Sequence, residues 1–278
     1  MSGRRIRRGP IGFGLSLLRI LRGRPQIPPS LRDNQALGVI LNRRSVRRFS
    51  HEEIPDDVFA TILEAGRLAP STVNLQTWSF ATFTCDSWQV TLGGQIPFNA
   101  QRAVMILADT HRVRQVLQAF QETPLVEHTV AVMNASLAAM NMTVAAETLG
   151  ISSVMLSDTG RSGLLDVGHL EECLALPPHV IPIMTIVLGY SRVGRPPMPP
   201  KLPLEAIRFE GRYVETDHEV MEAWMAEMTA GYKASHPRSS LGAQLAHYTS
   251  KIGAAEADLR AMVLGEGAGS PASSGKPM

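Results

Sequence analysis

The chain contains little cysteine, few aromatic residues and no long apolar run, and these shortages limit the kinds of protein it can be. Its two cysteines, Cys85 and Cys173, are too few for a disulfide framework and stand in no metal-ligand spacing. Aromatic residues make up 5% of the chain, so the core must be packed mainly from aliphatic side chains. No apolar stretch reaches the roughly 18 residues that a membrane-spanning helix needs. At 278 residues the chain is still long enough to bury a full core.

Several common functional motifs are also missing. The sequence has no glycine-rich dinucleotide turn, no phosphate-binding P-loop and no serine nucleophile elbow. Its eight histidines never stand three or four residues apart, so we expect no metal site. Any redox cofactor must therefore be held by other residues.

The net charge of +2 hides an uneven distribution. Residues 1–30 carry seven arginines and no acid, whereas the remaining 248 residues carry 20 basic and 25 acidic side chains. The net negative charge of these 248 residues argues against a nucleic-acid-binding function for them. We expect a cytoplasmic protein in which residues 1–24 make at most a weak contact with a membrane surface. A disordered or subunit-wrapping arm is the simpler alternative.

Apolar periodicity and turn residues indicate alternating helices and strands. Helices are predicted over residues 31–41, 55–69, 126–149, 164–174, 217–234 and 241–264, and strands over 79–84, 103–108, 154–156 and 183–188. The proline-rich residues 194–203 predict an extended strap. This pattern predicts an α+β chain. We divide it into a basic arm (1–30), a main domain (31–213), a helical extension (214–264) and a disordered tail (265–278).

Two polar segments could carry chemistry. Arg43, Arg44, Ser45 and Arg47 place three guanidinium groups and a hydroxyl within five residues, a set of donors suited to phosphate. An ordinary solvated basic turn is the alternative. Residues 70–78 combine hydroxyl and amide side chains between a helix and a strand, and could bond the edges of a polar ring. A turn that satisfies its own backbone is the alternative there.

Read together, these segments resemble the FMN-dependent nitroreductase family. The resemblance rests on an Arg-Arg-Ser-x-Arg-x-Phe run at 43–49, Ile-Pro at 54–55, Ala-Pro-Ser at 69–71 and Asn-x-Gln-x-Trp at 74–78. Further similarity lies in Gly-Gly-Gln at 93–95, in residues 134–150 and in residues 176–205. It covers about residues 37–213.

The resemblance implies both fold and activity. It implies a central, mostly antiparallel sheet surrounded by helices, in an interlocked homodimer with FMN at the subunit interface. The implied enzyme is an FMN-dependent oxidoreductase that uses NAD(P)H to reduce nitroaromatics, quinones, flavins or enones in a ping-pong cycle. Gly-Gly-Gln favours NADPH over NADH. No catalytic side chain is predicted, because flavin N5 carries the hydride.

The resemblance also implies which residues hold the cofactor. The expected FMN-binding residues are Arg43, Arg44, Ser45, Arg47, Pro70, Ser71, Thr72, Asn74, Gln76, Gln95, Ser157, Asp158, Gly160, Arg161 and Lys201. Of these, the segment 70–76 would come from the neighbouring protomer. Phe120 is a candidate lid residue over the substrate, with plain packing as the alternative. Thr77 stands where the family has proline, which predicts a looser loop.

Two other functions remain open at this point. One is a specialised member of the same fold, such as a dehalogenase, a desaturase or a flavin-destroying enzyme, whose bound flavin NADPH would not reduce. The other is a flavin-binding redox module docked through the basic arm, which would lose its partner if residues 1–30 were removed.

Overall fold

A computed structural model describes residues 10–22, 25, 27–118, 120, 122–157 and 162–265. The chain divides into two compact units. The larger unit comprises Gln35–Arg195 and Lys251–Met278, and the smaller one comprises Met1–Asn34 and Pro196–Ser250. The domain boundaries expected from the sequence stay predictions.

Helices and strands alternate along the described residues. The helices are α1 (Pro10–Arg22), α2 (Gln35–Asn42), α3 (Asp56–Arg67), α4 (Cys85–Leu92), α5 (His111–Arg114), α6 (Pro124–Thr148), α7 (Val167–Leu174), α8 (Leu204–Ile207), α9 (His218–Ser235) and α10 (Leu241–Leu264). The strands are β1 (Trp78–Thr84), β2 (Arg102–Asp109), β3 (Ser152–Leu156) and β4 (Val180–Gly189).

The larger unit is built on a four-stranded sheet in the order β1-β2-β4-β3. Each neighbouring pair of these strands runs antiparallel. β2 and β4 occupy the middle of the sheet and are almost wholly buried, because the core covers both of their faces. The predicted α+β class with a mostly antiparallel sheet is confirmed.

Strand β4 begins three residues earlier than the sequence pattern predicts. Pro182 has no N–H to donate to a ladder, which argued against a strand there. The register of β4 against β2 shifts between Ile106 and Leu107, and Leu107 faces Pro182. This bulge accommodates the proline within a central strand.

Helix α6 is the central helix of the larger unit and packs against α3 and the sheet. Of its six alanines at 131, 135, 138, 139, 145 and 146, all but Ala145 are buried. The contact with α3 is so close that a Cβ on Gly66 would lie 2.2 Å from Met142 Cε. The small residues of α6 thus allow α3 to approach it closely.

By length and composition alone, α6 could cross a membrane. Polar residues such as Glu127 and Asn134 interrupt this helix, so its sequence contains no continuous apolar run of that length. Both are buried and hydrogen-bonded within the larger unit. Their packing is that of a core helix.

The ends of the chain differ in part from expectation. Residues 10–22 form helix α1, where a disordered arm was the simpler expectation. The second half of α10 belongs to the larger unit, where Val263 packs with Val167 and Ile181. Lys251 Nζ lies 3.5 Å from Asp166 Oδ2 in the same unit. The predicted disordered tail lies outside the described residues except for Gly265.

Candidate active site

The arginine-rich segment follows α2 and lies along the edge of the sheet. Ser45 forms a parallel bridge with Ser153 of β3, and the Val46 N–H donates to the Ser153 carbonyl at 3.1 Å. Further on, Phe49 bridges to Ser191 beyond the end of β4. Val46 and Phe49 are both buried in the core. These apolar anchors fix the position of the polar side chains between them.

Arg44 lies in a cluster of cations. Its Nη1 donates to the carbonyls of Leu41 at 3.0 Å and Arg43 at 2.8 Å, but its buried Nε has no hydrogen-bond partner. Burial lowers the pKa of Arg44, and the charges of Arg195 and Arg43 lower it further. The carboxylate that offsets them belongs to Glu147, whose Oε1 lies 3.3 Å from Arg195 Nη2. Three cations therefore act against one carboxylate, and the cluster carries a net positive charge.

Arg47 is exposed and faces the loop that carries Gln95. Its guanidinium carbon lies 5.9 Å from the centroid of the Phe98 ring, within the range of a cation–π contact. Gln95 is exposed and directly follows Gly93 and Gly94. Both glycines have a φ of +73°, a conformation that side chains with a Cβ rarely adopt. The fold thus places two predicted cofactor residues, Arg47 and Gln95, in neighbouring segments.

The loop at residues 70–76 is anchored to α6 by Asn134. Asn134 Oδ1 accepts hydrogen bonds from the Thr72 N–H at 3.0 Å and from Thr72 Oγ1 at 3.2 Å. Its Nδ2 donates to Thr77 Oγ1 at 2.8 Å. Thr77 is fully buried. The expectation that Thr77 loosens this loop was therefore wrong, because its hydroxyl supplies an anchor that proline could not.

The remaining predicted residues of this loop lie at its surface. The Ser71 hydroxyl accepts a hydrogen bond from the Gln76 N–H at 3.1 Å. Asn74 and Gln76 are exposed and adopt positive φ angles of 57° and 49°. Pro70 is exposed, and Val73 at the tip of the loop is 87% exposed. The loop therefore exposes these side chains at the surface of the chain.

The predicted segment after β3 is described only in part. Ser157 is exposed at the end of the strand, and its carbonyl accepts from the Leu165 N–H at 3.0 Å. Asp158, Gly160 and Arg161 lie outside the described residues. Lys201 is exposed and belongs to the smaller unit. The roles assigned to these five residues stay predictions.

Phe120, the candidate lid residue, is buried to 9% exposure. Its carbonyl accepts a hydrogen bond from Arg114 Nη2 at 3.1 Å, and Arg114 is in turn paired with the buried carboxylate of Glu127. Thr110 also donates its hydroxyl to Glu127. Phe120 is thus buried and held through its carbonyl, and both its role as a lid and its alternative role in packing stay predictions.

The same carboxylate lies beside a partly buried histidine. Burial lowers the pKa of His128, whose Nδ1 has no hydrogen-bond partner. Burial by itself would raise the pKa of Glu127, but hydrogen bonds from Arg114 and Thr110 lower it overall. Glu127 is therefore charged and His128 neutral near pH 7. Among the residues that the structure describes, no group of His, Cys, Asp and Glu side chains could hold a metal ion.

Comparison with known proteins identifies the family. The model of the nitroreductase family matches residues 40–89, which include the arginine-rich segment and the loop at 70–76. A protein of Archaeoglobus fulgidus with the provisional name NADH dehydrogenase/NAD(P)H nitroreductase is 30% identical over 164 residues, covering 57% of this chain and 86% of its own. The chain belongs to the nitroreductase family.

Other relatives of the family match this chain in sequence and in fold. The FMN reductase (NADPH) of Bacillus subtilis is 27% identical over 196 residues, which cover 66% of this chain and 77% of the reductase. The structure of the NADPH:FMN oxidoreductase of Vibrio harveyi complexed with NAD+ superposes with a TM-score of 0.64 at 22% identity. It covers 78% of this chain and 92% of that one. At this identity the likeness shows the nitroreductase fold alone.

Arg195, Asn134 and Phe98 are the site residues that sequence reasoning missed in this nitroreductase. Arg195 stands in a proline-rich stretch without periodicity, so no pattern signals that its charge acts on Arg44. No pattern in the sequence signals the contact of Phe98 with Arg47 either. Asn134 did carry a signal, because an amide on the apolar side of a long helix must find hydrogen-bond partners once it is buried.

Replacing Asn134 with alanine is expected to free the loop at residues 70–76. The change leaves the buried Thr77 hydroxyl and the Thr72 N–H without their partner, and should lower the free energy of unfolding by about 1–3 kcal/mol. Urea denaturation measures this loss, and limited proteolysis should cut the loop faster. Asn141→Ala is the matched control, since Asn141 makes one bond, to the Ala65 carbonyl at 3.2 Å. Equal losses in both variants would contradict the anchoring role.

Proposed function

We propose that this nitroreductase-family chain is an FMN-dependent oxidoreductase that uses NAD(P)H to reduce small oxidised acceptors. The acceptors are nitroaromatics, quinones, flavins or enones. The single observation that carries the proposal is the cation cluster of Arg43, Arg44 and Arg195, with the buried and unpartnered Arg44 Nε. The curated relatives support it, because their names specify NADPH-dependent reduction of FMN or of nitro compounds.

The residues present fit the chemistry of FMN. Guanidinium groups are bidentate donors to phosphate oxygens, and an anion would complete the set around Arg44. In this proposal Arg43, Arg44 and Ser45 hold the phosphate. Bound FMN would supply the hydride chemistry, since it accepts two electrons from a nicotinamide and passes them to the acceptor.

Two further side chains would act on the ring of the cofactor. The side-chain amide of Gln95 would hydrogen-bond the pyrimidine edge, which carries both donors and acceptors. Arg47 would lie close to that edge, where its positive charge favours negative charge on the ring. Its contact with Phe98 restrains the guanidinium without neutralising it. These residues would orient the cofactor and stabilise charge, and no side-chain acid or base is needed.

A homodimer would complete the site in this proposal. The loop at residues 70–76 is bonded to α6 and presents Val73, and α6 exposes a row of Met133, Leu137 and Met140 on one side. Residues four and three apart share one side of a helix, so a second copy could cover all three. The loop of one protomer would then close over the flavin ring of the other.

The absorbance spectrum of the purified protein tests the proposed function. We expect flavin bands near those of free FMN, and we expect NADPH to bleach them under anaerobic conditions while a nitroaromatic restores them. NADH is the matched comparison, and a slower bleaching is expected with it. A protein that is colourless and does not bind added FMN would refute the proposal. A bound flavin that neither nicotinamide reduces would favour a specialised member of the fold.

A further inference from the structure

Helix α1 carries apolar side chains on two sides, and only one of them is covered within the smaller unit. Ile20 is buried against α9, where its Cδ1 lies so close to Gly231 that a Cβ there would stand 3.0 Å away. Leu15 and Leu18 are 45% and 46% exposed, and Phe13 is 40% exposed. At 100° per residue, Leu18 lies almost opposite Ile20, and Leu15 lies beside Leu18. The outer side of α1 is thus apolar and open.

The segment of the sequence that contains this helix carries charges of one sign. The segment of residues 1–30 carries seven arginines and no acidic residue. Four of these arginines precede the helix, at positions 4, 5, 7 and 8, and two lie within it, at positions 19 and 22. The rest of the chain carries more acidic than basic side chains, whereas the arm carries seven basic side chains and no acidic one.

An exposed apolar side on a helix of an arginine-rich segment fits one kind of partner better than others. An acidic protein or a free anion would satisfy the arginines but leave Leu15 and Leu18 in water. The interface of a bilayer with anionic headgroups offers phosphate to guanidinium groups and acyl chains to leucine side chains at the same depth. A single helix of this length lies in the interface and does not span the bilayer.

We propose that α1 and the arginines before it dock this protein onto anionic lipid surfaces, with Leu15 and Leu18 entering the boundary between headgroups and acyl chains. The contact is peripheral and reversible, because its electrostatic part is screened by salt. Docking does not require a bound flavin, so it is independent of the proposed enzymatic function. It would place the reductase beside acceptors that partition into membranes.

Flotation with lipid vesicles tests the docking. The full-length protein should float with vesicles that contain about 30% phosphatidylglycerol in phosphatidylcholine, and should remain behind with vesicles of pure phosphatidylcholine. Raising the salt concentration from about 0.05 M to 0.5 M should release it, because the Debye length falls several-fold. Equal binding to neutral vesicles, or no binding to either kind, would overturn the proposal.

Two variants separate the apolar and the electrostatic parts. Leu15→Ala with Leu18→Ala should weaken vesicle binding about tenfold or more while preserving α1, since alanine is the best helix former. Replacing Arg4, Arg5, Arg7 and Arg8 with glutamine should weaken it at least about a hundredfold. The control for the leucine variant is Val90→Ala with Val116→Ala, which removes exposed apolar side chains elsewhere. The control for the arginine variant replaces four exposed arginines with glutamine, at positions 192, 208, 212 and 238.

The controls also decide between occupants of this surface. If they weaken binding as much as the arm variants do, the contact is nonspecific and the proposal fails. If the arm variants instead change the oligomeric state in the absence of lipid, with no binding of the native protein to vesicles, the outer side of α1 is covered by a second copy. Circular dichroism and the flavin content of each variant show whether it remains folded.

Discussion

Arg44→Gln is expected to weaken the binding of FMN to the apoprotein by about 10- to 100-fold. A charge-assisted hydrogen bond to phosphate contributes about 1.5–3 kcal/mol, and tenfold in affinity corresponds to about 1.4 kcal/mol. The unliganded variant should differ little in stability from the native protein, because losing the bonds to the Leu41 and Arg43 carbonyls is offset by removing a buried Nε that lacks a partner. Titration of the apoprotein, followed by flavin fluorescence, measures the affinity.

Riboflavin and a neighbouring arginine supply the controls for this result. Riboflavin lacks the phosphate, so native protein and Arg44→Gln should bind it equally. Arg48→Gln removes an exposed guanidinium from the same segment and should leave the affinity for FMN within about twofold. If Arg44→Gln weakens FMN and riboflavin equally, Arg44 does not hold the phosphate. The shift in melting temperature on adding FMN gives an independent measure of the same affinity.

Glu127→Gln is expected to lower the free energy of unfolding by about 3–5 kcal/mol, because it leaves Arg114 partly buried without its partner. For a unit of this size the melting temperature should fall by about 10 °C. Arg114 Nε donates to Glu127 Oε1 at 2.6 Å, and Arg114 also holds the Phe120 carbonyl. Proteases should therefore cut the segment between β2 and α6 faster in this variant. Differential scanning calorimetry and limited proteolysis measure the two effects.

An exposed pair gives the matched control. Arg67 and Glu64 approach to 2.6 Å, but their side chains are 58% and 52% exposed. Glu64→Gln should therefore leave the free energy of unfolding almost unchanged. If Glu64→Gln and Glu127→Gln lower the free energy of unfolding by similar amounts, burial does not increase the contribution of the Arg114–Glu127 pair to stability.

Lowering the pH should destabilise the native protein in part by protonating the Glu127 carboxylate. The folded structure lowers the pKa of Glu127 below its unfolded value of about 4.3, since Arg114 and Thr110 more than offset the effect of burial. The contribution of the pair is thus complete above about pH 4.3 and is lost as the pH falls through the lower, folded pKa. Glu127→Gln should lack this part of the acid dependence.

Local patterns in the sequence were sufficient for most of the elements. The predicted helix over residues 241–264 matches α10 at both ends, and α6 differs from its prediction by two residues at its start and one at its end. Helix α4 was missed because it has eight residues and buries Trp88 alone, which leaves no visible period. Its start is marked instead by a capping box between Thr84 and Ser87.

Some residues of the candidate site are evident from local motifs, and others are brought to the site only by folding. The family motifs locate Arg43, Ser45, Arg47 and the loop at residues 70–76, because each motif is a run of neighbours that must adopt one backbone conformation. Arg195 and Asn134 were not found, since they reach the site through folding of segments far apart in sequence. Their partners, Arg44 and Thr77, lie 151 and 57 residues away along the chain.

By itself the sequence determined the fold class, the family resemblance and the chemistry of the donor groups, because these depend on local periodicity and on residue type. Only the tertiary structure decided which charges meet and which are buried. The cation cluster at Arg44, the anchoring of Thr77 and the pairing of Arg114 with Glu127 all join segments that are distant in sequence. Burial changes the free energy of a polar or charged side chain far more than a change from one such residue type to another does. A side chain becomes buried only when segments distant in sequence pack together.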